Sequence, residues 1–112
     1  YAALKAGVTH YTRMAGVELG PHQIRVNSIS PGAIATPIFY GGSQRANDLT
    51  NEENERKMEK LKGNLANAVP LKRSGLASDI AEAALYLSSD AGSFVTCQDI
   101  VVDGGRTAMF NE

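Results

Sequence analysis

Apolar residues recur at helical spacing over the first part of the chain. Leu4, Val8, Tyr11, Ala15 and Leu19 follow one another at steps of four, three, four and four, which draws one apolar stripe. The pattern predicts an amphipathic helix over residues 1–19, stopped by Gly20-Pro21. Glycine can take the left-handed C-terminal position, and proline cannot continue the helix. Gly7 and Gly16 each lower helix propensity by about 1 kcal/mol relative to alanine, which close packing against another backbone would justify. Ile24 to Ser30 is short and rich in β-branched residues and is closed by Pro31-Gly32, so it reads as a strand ending in a turn. From Ala33 to Asn51 the pattern becomes irregular and predicts a long loop, a length usually tied to function or motion.

Regular patterning then returns. Thr50 and Glu53 have the spacing of a capping box, and Glu52, Glu53 and Glu55 precede Lys60 and Lys62 in the order a helix dipole favours. Met58, Leu61 and Leu65 give this helix a narrow apolar stripe, as expected of a surface cover. A further helix is expected from about Ala77 to Ser88, with Ile80, Ala84 and Leu87 on one face. Gln98 to Asp103 reads as a buried strand ended by Gly104-Gly105. Apolar strands separated by helices predict an α/β fold with a parallel sheet covered on both faces. Two strands would leave long unpaired edges, so the expectation is the back half of a larger α/β domain.

Composition narrows the classes. The 112 residues are 43% hydrophobic and 21% charged, with 11 basic and 12 acidic residues and a formal net charge of −1. That balance gives no electrostatic footprint for nucleic acid or an anionic membrane, and no run approaches the 18 or so apolar residues of a membrane helix. A single cysteine, Cys97, excludes an internal disulfide and a cysteine-based zinc cluster, and favours a reducing, cytoplasmic setting. The first residues lack a secretory pattern and an initiator methionine, which is expected of a fragment or processed chain.

Two features carry candidate chemistry. Tyr1 and Lys5 are four residues apart and share a helix face. A phenol ionises near pH 10 and exchanges protons poorly at neutrality, whereas a nearby ammonium favours the phenolate. Such a tyrosine could give a proton to a carbonyl oxygen or take one from an alcohol. The second feature is Pro31-Gly32-Ala33-Ile34-Ala35-Thr36, just past the carboxyl end of a predicted strand, where ligands bind in open α/β sheets. Gly32 would allow close approach of the backbone to a ligand, and Thr36 offers a hydroxyl. Each feature alone is equally an ordinary helix pair or an ordinary turn.

Their order is more specific. Y-x-x-x-K, then I-R-V-N-x-I-x-P-G-x-I-x-T, then D-I-A-E-A-A-L-Y-L and I-V-V-D-G-G resembles the short-chain dehydrogenase/reductase family from Tyr1 to about Gly105. The resemblance implies a Rossmann-type doubly wound parallel sheet, of which residues 1–112 would be the C-terminal portion. It implies hydride transfer between NAD or NADP, with NAD favoured, and a small-molecule secondary alcohol or ketone. Tyr1 would be the catalytic acid/base, and Lys5 would hold the nicotinamide ribose hydroxyls and favour the phenolate. Pro31 and Gly32 would shape the nicotinamide pocket, while the Ile34 main chain and the Thr36 side chain would hold the carboxamide or a neighbouring phosphate. Residues 37–69 would be the substrate loop and helix, with Phe39 and Tyr40 as candidate substrate contacts. Helix one and the last strand would make the contacts of a homotetramer or homodimer.

The chain also departs from the family pattern. It does not contain the glycine-rich phosphate loop, the Asn-Ala-Gly motif or the catalytic serine and asparagine that precede the tyrosine. Cys97 stands where the family usually has glycine, and Leu76-Ala77 replaces the usual polar cap and proline, at the cost of a cap. The three-residue gap between Tyr1 and Lys5 disfavours the enoyl-reductase branch. The long 37–69 segment favours a branch acting on free ring alcohols over 3-oxoacyl carrier-protein reductases, which stay as an alternative beside a catalytically inactive binding or scaffold protein. His10 and His22 are too isolated for metal ligation, and Arg25 and Asn27 are expected to satisfy structural hydrogen bonds.

Overall fold

The computed structural model describes residues 1–110, and the chain forms two compact units. One comprises Tyr1–Ser30 with Ile80–Val101, and the other Pro31–Asp79 with the segment from Val102. The fold is α/β. Helices α1 (Ala2–Leu19), α2 (Gly42–Asn47), α3 (Asn51–Ala66) and α4 (Ala77–Ser88) accompany strands β1 (Ser28–Pro31) and β2 (Asp99–Val102), which pair in one sheet. The pairing is parallel: Val26 and Ser28 meet Cys97 and Gln98 in ascending order, through Cys97 N–H to Val26 O at 2.8 Å and Ser28 N–H to Gln98 O at 2.9 Å.

In the first unit the expected helix forms, but the side that packs differs from the predicted one. Leu4, Val8 and Tyr11 are exposed, Leu4 by 76%, whereas Thr12 and Gly16 are buried. The reason is local. Gly16 lies against the Thr96-Cys97 turn, where a Cβ would sit 3.2 Å from Thr96 Oγ1 and 3.3 Å from the Cys97 amide nitrogen and would run into the Cys97 sulfur. Close packing thus accounts for Gly16, while nothing lies within 4 Å of a Cβ on Gly7. The stop signal also works differently from the expectation. Gly20 stays right-handed at φ −52° and opens a 3-10 turn through His22, and Gln23 takes the left-handed position at φ 62°. Proline at the second place of that turn costs no bond, because its missing N–H would have had no partner.

Residues 95–98 are held from several sides by residues 26–28. Val26 N–H donates to Thr96 Oγ1, Asn27 Nδ2 donates to Val95 O, and Asn27 Oδ1 accepts from Gln98 N–H. Arg25 donates to the carbonyls of Leu87 and Val95. These bonds are the structural role expected of Arg25 and Asn27. They also hold Cys97 at φ 64°, a left-handed conformation that costs a residue with a Cβ roughly 1–2 kcal/mol and persists where neighbours over-determine it. On β1 and β2, Ser28 and Ser30 both donate to Asp99 Oδ1 at 2.8 Å.

In the second unit, the predicted loop contains a 3-10 turn (Pro37–Tyr40) and the short α2 before α3 begins. The capping box is complete: Glu53 N–H donates to Thr50 Oγ1, and Thr50 N–H to Glu53 Oε2. At the start of α4 the expected loss of a cap is made good. Asp79 Oδ2 accepts from Leu76 N–H at 2.8 Å while the same carboxylate takes two bonds from Arg73, at 2.8 and 2.9 Å. Ala35, Val69 and Ser74 are buried, and the turn after β2 closes onto Val69 and Pro70 through Gly104 and Gly105. Arg106 donates to Ala68 O across the same contact.

Candidate active site

Tyr1 stands at the N-cap of α1, and its carbonyl accepts from Lys5 N–H at 3.0 Å, the first bond of the helix. That bond sets the two side chains one turn apart on one face. The Lys5 ammonium lies over the phenol ring, 5.4 Å from its centroid, within the range in which a cation is attracted by an aromatic face. Both side chains are exposed, Tyr1 by 91%. The pair therefore has the contact that its spacing predicts, and the phenol oxygen is open to an incoming molecule.

Pro31, Gly32, Ile34, Thr36, Phe39 and Tyr40 belong to the second unit. Pro31 ends β1, and Gly32 N–H continues the ladder to Val102 O at 3.0 Å. The reason for glycine at 32 is the chain itself: a Cβ there would lie 2.6 Å from Asp103 Cβ and 2.9 Å from Asp103 Cα. Ile34 forms a parallel bridge with Gly75, in which Ala35 N–H donates to Gly75 O at 2.9 Å. In a parallel ladder successive residues direct their polar groups to opposite sides, so Ile34 turns its own N–H and C=O away from Gly75. Its side chain fills the space over Gly75, where a Cβ would come 2.5 Å from Ile34 Cδ1. The neighbouring Ala35 is buried and anchors the segment.

Thr36 is the N-cap of the 3-10 turn, yet its hydroxyl makes no capping bond. Its carbonyl accepts from Phe39 N–H at 3.3 Å, so the backbone closes the turn while the side-chain oxygen is left out of it. Phe39 is half-exposed. Tyr40 donates its hydroxyl to Asn54 Oδ1, and Lys57 lies over its ring.

Three residues matter to this geometry that the sequence pattern did not mark. Gly75 read only as punctuation, Asp103 as a turn, and Asn54 as part of a solvated helix face. Asp103 accepts from Thr107 N–H at 2.8 Å and Gly105 N–H at 2.9 Å. The bonds from Thr107, and then from Gly105, hold its carboxyl below the usual carboxylate range. A D-G-G triplet carries that signal only weakly, because its partners follow it at unremarkable positions. Among the described residues, no group of three or more His, Cys, Asp or Glu comes together as a metal site, and no helix is long and apolar enough to cross a membrane.

A family model described as enoyl-(acyl carrier protein) reductase matches residues 1–107. The chain belongs to the short-chain dehydrogenase/reductase family. Among curated relatives of this short-chain dehydrogenase/reductase chain, the 3-oxoacyl-[acyl-carrier-protein] reductase FabG of Chlamydia trachomatis is 42% identical over 105 residues, covering 94% of this chain and 36% of the relative. Levodione reductase of Leifsonia aquatica is 37% identical over 110 residues, covering 98% of this chain and 39% of the relative. A solved short-chain type dehydrogenase/reductase from Mycobacterium marinum has a TM-score of 0.66 at 38% identity, covering 96% of this chain and 36% of that one. Two further solved neighbours, each at a TM-score of 0.66, are a Brucella melitensis 3-oxoacyl-[acyl-carrier protein] reductase with bound NAD and an NADPH-dependent reductase, at 35% and 32% identity. The chain spans little more than a third of the length of the curated relatives it matches. Its architecture is accordingly that of the Rossmann-type short-chain dehydrogenases/reductases, with helices interleaved with parallel strands.

Proposed function

We propose that residues 1–112 form the C-terminal part of an NAD(P)-dependent short-chain dehydrogenase/reductase that interconverts a secondary alcohol and its ketone, with Tyr1 as the general acid/base. The observation that carries the reading is the Tyr1–Lys5 pair, one helical turn apart with the ammonium 5.4 Å from the phenol ring, in a chain of this family. In the oxidative direction the Tyr1 oxygen takes the hydroxyl proton as the carbinol C–H bond breaks, and in the reverse direction it returns that proton to the carbonyl oxygen. The Lys5 ammonium favours the phenolate by charge and binds the ribose hydroxyls. The high exposure of Tyr1 lets solvent restore its proton.

A nicotinamide nucleotide, when bound, supplies or accepts the hydride. The second unit supports such a group: Ile34 turns an N–H and a C=O to one side of its bridge with Gly75, and Thr36 keeps a hydroxyl outside its turn. Donor, acceptor and hydroxyl together match the hydrogen-bonding needs of a carboxamide. Pro31 and Gly32 shape the nearby backbone, and the segment 37–69 covers the substrate, with Phe39 and Tyr40 along it. NAD is favoured over NADP, the assembly is a homodimer or homotetramer built through α1 and β2, and the setting is the cytoplasm.

For the substrate, a free ring alcohol or ketone is favoured by the two helices in the segment 37–69 and by the likeness to a levodione reductase. The second reading, a 3-oxoacyl carrier-protein reductase, is favoured by the Chlamydia relative. Fluorescence titration of the full-length protein with NADH and NADPH tests the shared claim. Binding of either nucleotide is expected, and binding of neither would overturn the assignment and leave a catalytically inactive binding protein. Turnover of cyclohexanone against acetoacetyl-coenzyme A then separates the two substrate readings.

A further inference from the structure

The segment between Thr36 and α3 is built around one side chain. Ile38 is 74% exposed and Phe39 half-exposed on the 3-10 turn. At the end of that turn Tyr40 is tied down, with its hydroxyl donating to Asn54 Oδ1 at 3.4 Å and its ring 5.8 Å from Lys57 Nζ. Asn54 also donates through Nδ2 to Ala46 O of α2 at 2.8 Å. A single amide in the first turns of α3 thus grips the 3-10 turn with its oxygen and α2 with its nitrogen.

The grip has a fixed base and a constrained load. The complete capping box at Thr50 and Glu53 fixes the start of α3. Between turn and helix, Gly41 is left-handed at φ 113°, with the Arg45 side chain against it. Asparagine is a poorer helix former than the alanine or glutamate that would serve on a merely solvated face. Two hydrogen bonds, each typically worth about 0.5–1.5 kcal/mol net, give the position a reason to carry it. Locking Tyr40 leaves the two preceding apolar side chains presented outward in a defined geometry. Apolar contact surfaces with few polar groups are characteristic of small-molecule sites.

We infer that Asn54 is a positioning residue that holds the Ile38–Phe39 turn as the apolar wall of the substrate site, matched to a compact alicyclic ketone or alcohol. The assignment of the wall to a substrate rests on the oxidoreductase reading above, whereas the grip itself does not. Asn54 acts through the turn and takes no part in the chemistry.

The test uses the full-length protein with cyclohexanone as probe. Asn54→Ala removes both bonds, and Asn54→Asp keeps the acceptor for Tyr40 while losing the donor to Ala46. Asn54→Ala is expected to raise KM for cyclohexanone about five- to tenfold, at roughly 1.4 kcal/mol per tenfold, with kcat within about twofold and nucleotide affinity unchanged. Asn54→Asp should fall between it and the parent. Amide exchange at Asp48 and Leu49, whose N–H groups donate to Arg45 O and Ala46 O in the gripped segment, should accelerate in both variants. An unchanged KM, or one that rises together with the nucleotide dissociation constant, would overturn the positioning role. If the parent binds no nucleotide or does not reduce cyclohexanone, the failure belongs to the oxidoreductase or ring-ketone reading. Exchange then decides alone: acceleration in Asn54→Ala supports the grip, and unchanged exchange overturns it.

Discussion

Cys97 occupies the space that a side chain on Gly16 would need. The cysteine sulfur sits over the glycine while Cys97 itself holds a left-handed backbone at φ 64°. The two residues are therefore one packing decision: a thiol at a position suited to glycine demands a glycine in the helix beneath it. Gly16→Ala is expected to destabilise the full-length protein by about 1–3 kcal/mol, the usual range for overpacking. Cys97→Gly removes both the crowding sulfur and the left-handed penalty, so it should relieve at least about 1 kcal/mol of the Gly16→Ala cost. Urea unfolding of both single variants and the double variant measures the coupling. Strict additivity would contradict it.

Asp79 links acid sensitivity to the start of α4. Hydrogen bonds from Arg73 and from Leu76 N–H bring its carboxyl down to about 2, against an ordinary value near 4. The folded state thus binds the proton less well than the unfolded chain, and the contribution is complete above about pH 4–5. It fades as pH falls from about 4 through 2. The stability difference between the parent and Asp79→Asn should accordingly be constant from pH 5 to 8 and shrink toward zero near pH 2. A difference that grows on acidification would contradict the assignment.

Gly32 is expected to resist substitution because of its own chain. In Gly32→Ala the new Cβ meets Asp103 Cβ and Cα at 2.6 and 2.9 Å, and backbone cannot swing aside as a flexible side chain can. A loss of about 1–3 kcal/mol follows from such overpacking. Thermal unfolding of the variant without any ligand checks this. An unchanged midpoint there, with a defect only in nucleotide binding, would return Gly32 to the role of ligand approach alone.

What the sequence disclosed follows the range of the forces involved. The ends of α3 and α4 were legible because capping and apolar spacing act within a few residues: Thr50 and Glu53 carry their own partners. The Tyr1–Lys5 contact was legible for the same reason. The packed side of α1 was not, because Gly16 answers to Cys97, 81 positions further along the chain. The replacement cap at Asp79 was also hidden, since it needs Arg73 brought back by the left-handed Lys72 at φ 55°. Strand β1 is shorter than its β-branched run because Ile24 to Asn27 spend their polar groups on Leu19, Leu87 and the 95–98 turn. In the loop after Thr36, the residues that organise it, Tyr40, Ala46 and Asn54, lie at no regular spacing.

The most direct measurement is the steady-state rate of nucleotide-dependent ketone reduction by the full-length protein carrying Tyr1→Phe. The substitution removes one oxygen and leaves the ring beneath the Lys5 ammonium. Proton transfer by a positioned group contributes typically about 10²–10⁴-fold, so kcat/KM should fall within that range while NADH or NADPH binds with unchanged affinity. A Tyr1→Phe enzyme that retains the parent rate within about twofold would contradict the assignment of Tyr1 as the acid/base.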